Sequence, residues 1–149
     1  MKLVIFLLFF SFSLFAQDQP SFLSIGIEVA PILHTKEVNN LQELSFSPNL
    51  TIKYGSEQFK LTASLGVISR FGFTSSNKWT YASGYYMVNT ISNTQLEHGA
   101  EIELGFNHTF GECKNIKLNI GSSIGLLNQG RASKLTLRPL VIGFTYRII

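Results

Sequence analysis

The clearest structural signal in the chain is the stretch LEHGAEIELGFNHTF at residues 96–110. Apolar side chains occupy most of its even positions, and Glu or Gly occupies most of its odd ones, including Glu97, Glu101 and Glu103. Successive side chains of a β-strand point to opposite faces. A period of two therefore predicts a strand with one apolar and one polar face.

The same alternation extends outward from this stretch in both directions. It recurs over residues 21–34, 44–54, 59–73, 79–91, 116–126 and 135–148, which makes seven clear strands in all. In the weaker segment 79–91, the apolar face is expected to carry Tyr81, Tyr85 and Met87. In the last segment the phase shifts from odd to even after Leu137, so we predict a bulge or kink near Pro139.

Composition and length bound the class of protein. Of the 149 residues, 45% are hydrophobic and only 14% are charged, whereas a typical soluble domain has about 25% charged residues. The length suits one domain. The formal net charge is +3, and the basic residues are dispersed. A nucleic-acid-binding domain clusters its Lys and Arg residues, so we expect no nucleic-acid partner.

The N-terminus has the pattern of a secretory signal peptide. Lys2 precedes an apolar run that is interrupted by Ser and stops at Ala16, where polar residues begin. A membrane-spanning helix would need about 20 apolar residues. We predict a signal peptide at residues 1–16 and a mature domain at residues 17–149. The single cysteine, Cys113, permits no internal disulfide, and we interpret it as an incidental thiol.

Alternation alone does not say which face meets which environment. A soluble sandwich or lipocalin-like barrel places its apolar face inside, whereas an outer-membrane barrel places it outside and keeps the lumen polar. The glycines favour the second arrangement, because a narrow lumen requires small residues. Nine of the twelve fall on the polar face: Gly26, Gly66, Gly72, Gly84, Gly99, Gly105, Gly121, Gly125 and Gly143.

The charges on the polar face are nearly balanced. Unpaired charges are costly in a closed lumen, so we expect these side chains to pair there. The predicted lumen charge network has four acids and five bases: Glu28, Lys53, Lys60, Arg70, Glu97, Glu101, Glu103, Lys117 and Arg147.

These patterns predict an all-β fold, a closed antiparallel up-and-down transmembrane β-barrel. Bacterial single-chain barrels have an even number of strands, so we expect eight rather than the seven clear ones. We place the extra strand between Arg70 and Ile91, with a break at residues 74–77 or near Ser83-Gly84. Six strands is the alternative.

The chain resembles the small outer-membrane β-barrels of Gram-negative bacteria, in particular the short barrels of the Bacteroidetes type. The signal peptide ending Leu14-Phe15-Ala16-Gln17, the alternation over residues 22–149 and the final GFTYRII at residues 143–149 carry this resemblance. It implies an outer-membrane location, contact with outer-membrane lipid and recognition of the last strand by the barrel-assembly machinery. This chain departs from the family pattern by ending in Ile149 rather than Phe.

The sequence contains no recognisable catalytic constellation. Some small outer-membrane barrels are lipid A deacylases in which a Ser follows the catalytic His by two residues. Here Ala100 follows His98 and Phe110 follows His108. The acidic residues at 97, 101 and 103 suggest glycosidase carboxylates or a cation site, but salt bridges inside a lumen are the interpretation that we favour. We expect no catalytic, cofactor-binding or metal-binding residues.

The sequence thus predicts a non-enzymatic integral outer-membrane protein with a lumen filled by side chains. Such a protein would act through its exposed loops, in binding, adhesion or envelope maintenance, and no sequence feature indicates the loop ligand. An exported soluble lipocalin-like barrel that binds a small ligand is the alternative. An envelope lipid-modifying enzyme is a third hypothesis.

Overall fold

The computed structural model describes residues 20–35, 42–89, 96–111, 115–129 and 132–148. No helix in these ranges is long and apolar enough to cross a membrane. The predicted signal peptide, its cleavage site and Cys113 lie outside the described residues. The strands are β1 (Phe22–Thr35), β2 (Gln42–Gly55), β3 (Phe59–Gly66), β4 (Ile68–Ser76), β5 (Thr80–Asn89), β6 (Glu97–Phe110), β7 (Ile116–Gln129) and β8 (Ala132–Arg147).

The eight strands form one closed ring. Each strand pairs antiparallel with the next one along the chain, and β8 pairs with β1. At this seam Ser24 lies opposite Arg147, and the Ile148 N–H donates to the Leu23 carbonyl oxygen over 2.8 Å. The predicted fold class, an all-β closed up-and-down barrel of eight antiparallel strands, is confirmed.

The two ends of the barrel can be told apart by the chain termini. Because the strand number is even, β1 begins and β8 ends at the same end, which we call the termini end. The opposite end, where β3 turns into β4, is called the far end.

The strand that sequence analysis did not resolve is produced by a turn at Val67. Residues 59–73, expected to form one strand, form a hairpin of β3 and β4. The predicted location of the extra strand, between Arg70 and Ile91, is therefore wrong. Across the hairpin Ala63 lies opposite Phe71, so the apolar positions are odd-numbered on both strands. Since the alternation keeps its phase through the turn, it gives no sign that the chain reverses.

The phase shift predicted in β8 is confirmed. Arg138 and Val141 are buried, whereas Pro139 and Leu140 between them are both exposed. The pairing with β7 slips by one residue at the same point. One strand thus presents apolar residues outward on both sides of a bulge, although their numbers differ in parity.

Elsewhere, the predicted apolar faces lie outside and the polar faces inside, except in β5. Tyr81, Tyr85 and Met87, predicted for the outer face, are buried in the interior. Gly84, predicted for the interior, is exposed beside Tyr86. The reason is that the Tyr81 hydroxyl and the Tyr85 ring each contact a charged side chain in the lumen, so β5 places aromatic residues where the other strands place polar ones.

The tight curvature of the ring explains most of the interior glycines. A Cβ atom on Gly99 would lie 1.7 Å from the Leu126 carbonyl oxygen, and one on Gly72 would lie 1.9 Å from the Gly84 carbonyl oxygen. The backbone of the neighbouring strand already fills that space. A side chain at these positions would force the strands apart.

Candidate functional site

The middle of the barrel interior is filled by charged side chains centred on Arg70. This residue of β4 is 0% exposed. Its Nη1 donates to Glu101 Oε1 over 2.8 Å and to Glu103 Oε2 over 2.9 Å, and its Nη2 donates to Glu28 Oε1. The guanidinium carbon lies 4.6 Å from the centre of the Tyr85 ring. One cation therefore ties four strands together across the lumen.

A second arginine, Arg138 of β8, belongs to the same group. Its Nη1 lies 3.5 Å from Glu28 Oε1 and its Nε lies 3.6 Å from Glu101 Oε2. Arg138 is absent from the predicted charge network because it stands directly before the bulge, where the alternation breaks. The alternation did contain a signal for its position. Because Leu135 and Leu137 face outward, the next residue, Arg138, is expected to face the interior. We call Glu28, Arg70, Glu101, Glu103 and Arg138 the central cluster.

Hydroxyl groups line the interior around the central cluster. The Tyr81 hydroxyl donates to Glu103 Oε1 over 2.7 Å. Thr62, Thr74 and Ser83 form a chain of hydroxyl contacts, each of 2.9 Å, from β3 to β5. These four hydroxyl groups are therefore hydrogen-bonded inside the lumen, as buried polar groups require.

On the far-end side of the central cluster the interior becomes apolar. Ile32, Ile68, Met87 and Leu127 pack together, and each is at most 1% exposed. We call these four residues the apolar plug; Val67, in the β3–β4 turn, packs against it. Beyond the plug, at the rim of the far end, Glu97 accepts hydrogen bonds from Lys134 and Asn89.

On the termini-end side the interior is basic. Lys117 Nζ lies 3.4 Å from Glu57 Oε2, and Arg147 Nη1 lies 3.1 Å from Glu57 Oε1. Lys60 Nζ donates to the Glu57 carbonyl oxygen and, over 2.9 Å, to Ser76 Oγ. We call Lys60, Lys117, Arg147 and Glu57 the basic mouth. A cavity of about 30 Å³ lies behind it.

All nine residues of the predicted lumen charge network lie on the interior face, but they do not form one network. Glu28, Arg70, Glu101 and Glu103 meet in the central cluster. Glu97 is at the far-end rim, while Lys60, Lys117 and Arg147 are in the basic mouth. Lys53 lines the cavity between the mouth and the central cluster. Glu57, Lys134 and Arg138 complete these groups and were not predicted.

Neither His98 nor His108 joins any of these groups. His98 and His108 are exposed on the outer face, where His98 lies near Tyr86 and His108 packs edge-on against Phe110 at 4.6 Å. Within the described ranges, no group of three or more His, Cys, Asp and Glu side chains is placed to hold a metal ion. The acidic residues at 101 and 103 are both held by Arg70 instead.

Comparison of the chain with protein-family models, with curated proteins and with solved structures found no match. The function of the barrel is therefore inferred from the geometry of its described residues.

Proposed function

We propose that this protein is a non-enzymatic integral outer-membrane β-barrel of a Gram-negative bacterium. In this proposal it is exported with a signal peptide cleaved near Ala16 and inserted by the barrel-assembly machinery. The observation that supports the proposal most strongly is the distribution of polarity across the barrel wall. Large apolar side chains point outward along the ring, while most buried side chains are polar or charged.

The outer surface is too apolar for a protein that is surrounded by water. Thirty large hydrophobic side chains are exposed among the described residues, and Ile27, Leu104 and Phe106 are each at least 58% exposed. Monomeric soluble proteins rarely expose apolar patches larger than a few hundred Å². The same surface is favourable in lipid, where a closed barrel also leaves no unpaired strand edge.

Aromatic residues are concentrated at one end of this surface. Tyr54, Trp79, Phe110 and Tyr146 are all exposed, and all lie at or beside strand ends at the termini end. Amphipathic aromatic rings favour the boundary between hydrocarbon and water, and membrane barrels carry girdles of them there. This placement supports an interfacial position for the termini end.

The filled lumen limits which parts of such a barrel could contact other molecules. The central cluster and the apolar plug block the interior in two successive layers. Contacts with other molecules are therefore left to the two ends of the barrel. We propose that the segments joining the strands serve in binding, adhesion or envelope maintenance. The soluble lipocalin-like alternative needs an apolar interior, and the polar interior of this barrel does not favour it.

Fractionation of the producing cells tests the location. We expect the protein in the outer-membrane fraction, and in detergent gels we expect faster migration before boiling than after it, because a closed barrel resists unfolding. Recovery of the folded protein in the detergent-free periplasmic fraction would overturn the proposal.

Arginine substitutions test the outward face. Leu104→Arg and Ile120→Arg should each lower the free energy of unfolding in lipid by about 2–4 kcal/mol near the bilayer midplane. Ser123→Ala is the matched interior control. Its hydroxyl is buried without a hydrogen-bond partner among the described residues, so its removal should change stability little. Equal tolerance of the outer and inner substitutions would contradict the assignment of the faces.

A further inference from the structure

The basic mouth contains more positive charge than its own side chains neutralise. Lys117 and Arg147 both pair with the Glu57 carboxylate, whereas Lys60 contacts Glu57 only at its main-chain carbonyl oxygen. By formal charge, these four residues carry three positive charges and one negative charge. The central cluster does not supply the missing negative charge. It holds three carboxylates and two arginines, with Lys53 within electrostatic reach of two of those carboxylates.

Lys60 shows the imbalance most clearly. Although it is only 4% exposed, its ammonium contacts two neutral oxygens and the ring of Phe22, 5.4 Å from the ring centre. It forms no ion pair with any described residue. The guanidinium of Arg147 lies over the same Phe22 ring at 4.1 Å. Two cations thus share one ring, an arrangement that an anion between them would stabilise.

The position of Glu57 indicates how an anion would enter. Its side chain is 55% exposed, and it reaches across the mouth from the β2–β3 turn to Lys117 and Arg147. Exposed ion pairs of this kind contribute only about 0–1 kcal/mol. The cavity behind has room for one or two water molecules. An anion larger than water would therefore take the place of the Glu57 carboxylate, which would swing into solvent.

We propose that the basic mouth is a binding site for a phosphate group, in which the phosphate oxygens replace the Glu57 carboxylate. Once the Glu57 carboxylate has left, a hydrogen phosphate dianion or a phosphomonoester dianion would neutralise two of the three positive charges of Lys60, Lys117 and Arg147. Arg147 provides a planar fork of donors, while Lys60 and Lys117 provide ammonium donors. The inference goes beyond the proposed outer-membrane function, because the site is built from interior residues and does not depend on what surrounds the barrel.

Titration calorimetry with inorganic phosphate tests the site in the folded barrel, held in an uncharged detergent at constant ionic strength. We expect saturable binding that weakens by about tenfold or more in Lys117→Gln/Arg147→Gln. Lys78→Gln is the matched control. It removes one positive charge at the same end, but outside the cavity and beside Trp79, and it should leave the affinity unchanged.

Glu57→Gln separates a phosphate site from a merely structural ion pair. Because the substitution removes the competing carboxylate, phosphate should bind about threefold more tightly. A purely structural role for Glu57 predicts no gain. Undiminished binding by the double variant would overturn the proposal, as would weaker or unchanged binding by Glu57→Gln. Heat-dependent gel migration verifies that each variant is folded.

A second arm distinguishes free phosphate from a lipid headgroup. Phosphatidylcholine vesicles with and without phosphatidic acid are titrated with the same variants. Binding of inorganic phosphate supports a free anion as the ligand. Binding only to vesicles that contain phosphatidic acid, lost in the double variant, supports a headgroup. Binding of neither probe would refute the site, whatever fractionation shows about the location of the protein.

Discussion

At the scale of single residues, the interior is organised by Arg70. Sequence alternation placed this arginine and three of its partners on one face, because a period of two assigns faces residue by residue. It did not identify Arg138, which adjoins a bulge, or the inward tyrosines of β5. Tyrosine carries both an apolar ring and a hydroxyl, so a pattern that counts it as apolar assigns it outward. In the lumen the hydroxyl of Tyr81 and the ring of Tyr85 each contact the central cluster.

Arg70→Met should destabilise the barrel strongly. The substitution leaves three buried carboxylates without their principal partner, and breaking a buried ion pair in this way costs about 3–5 kcal/mol. Arg147→Met is the matched control, because its partner Glu57 is half exposed. It should cost less than about 1 kcal/mol. Urea unfolding in detergent measures both, and similar losses for the two variants would contradict the central role of Arg70.

Gly99→Ala should destabilise the barrel, whereas Gly84→Ala should not. A methyl group at position 99 would overlap the Leu126 carbonyl, while one at position 84 meets nothing within 4 Å. Forcing an atom into an occupied site costs about 1–3 kcal/mol. At position 84, alanine reduces the freedom of the unfolded chain and should leave stability unchanged or slightly raised. Unfolding midpoints decide the matter, and an equal effect of the two substitutions would show that the close approach at Gly99 is not limiting.

At the scale of elements, the strands could be predicted from the sequence far better than the turns. Alternation locates a strand and orients its faces, but it detects a turn only where polar residues interrupt it or the phase changes. The β4–β5 turn changes the phase, with Phe71 opposite Tyr86, whereas the turn at Val67 does not, with Ala63 opposite Phe71. This is why the sequence pattern predicts one long strand where the structure has the β3–β4 hairpin. The irregularity in β8 was predictable because it does change the phase.

Deletions in β8 test the bulge. Deleting Pro139 removes the extra outward residue of the bulge. The alternation then runs unbroken from Leu137 to the end of the strand, and every later side chain keeps its present face. Without Ile142, Gly143 and the residues after it move to the opposite face. We expect the first deletion to give a heat-modifiable folded barrel and the second to prevent folding. Folding of both would show that the register of β8 is not set by its faces.

At the scale of the whole molecule, the interior is layered along the barrel axis. A basic mouth at the termini end is followed by the central cluster, the apolar plug and a charged rim at the far end. Composition and alternation predicted a filled polar lumen but not this order. The order depends on how far each strand is shifted against its neighbours, and strand register cannot be read from one sequence.

This layering predicts that the barrel conducts no ions. An ion entering from the termini end would meet the paired charges of the central cluster and then the four apolar side chains of the plug, which offer it no ligands. Planar-bilayer recordings with the purified barrel should show no unitary current steps at either polarity, while a porin reconstituted in parallel should show them. Reproducible steps that disappear when the protein is omitted would contradict a closed lumen.

The seam between β1 and β8 sets the order of events during biogenesis. Ser24 and Arg147 are paired although they are more than a hundred residues apart in the chain. The pairing of β1 with β8 therefore cannot form until β8, the last strand, has been synthesised. Until β8 arrives, β1 and β7 both remain open edges, and open edges pair readily with other chains. Contacts so distant in sequence also form slowly. A chain cut short before residue 132 could not close its ring at any stage, so unfinished copies should aggregate or be degraded rather than accumulate as smaller barrels.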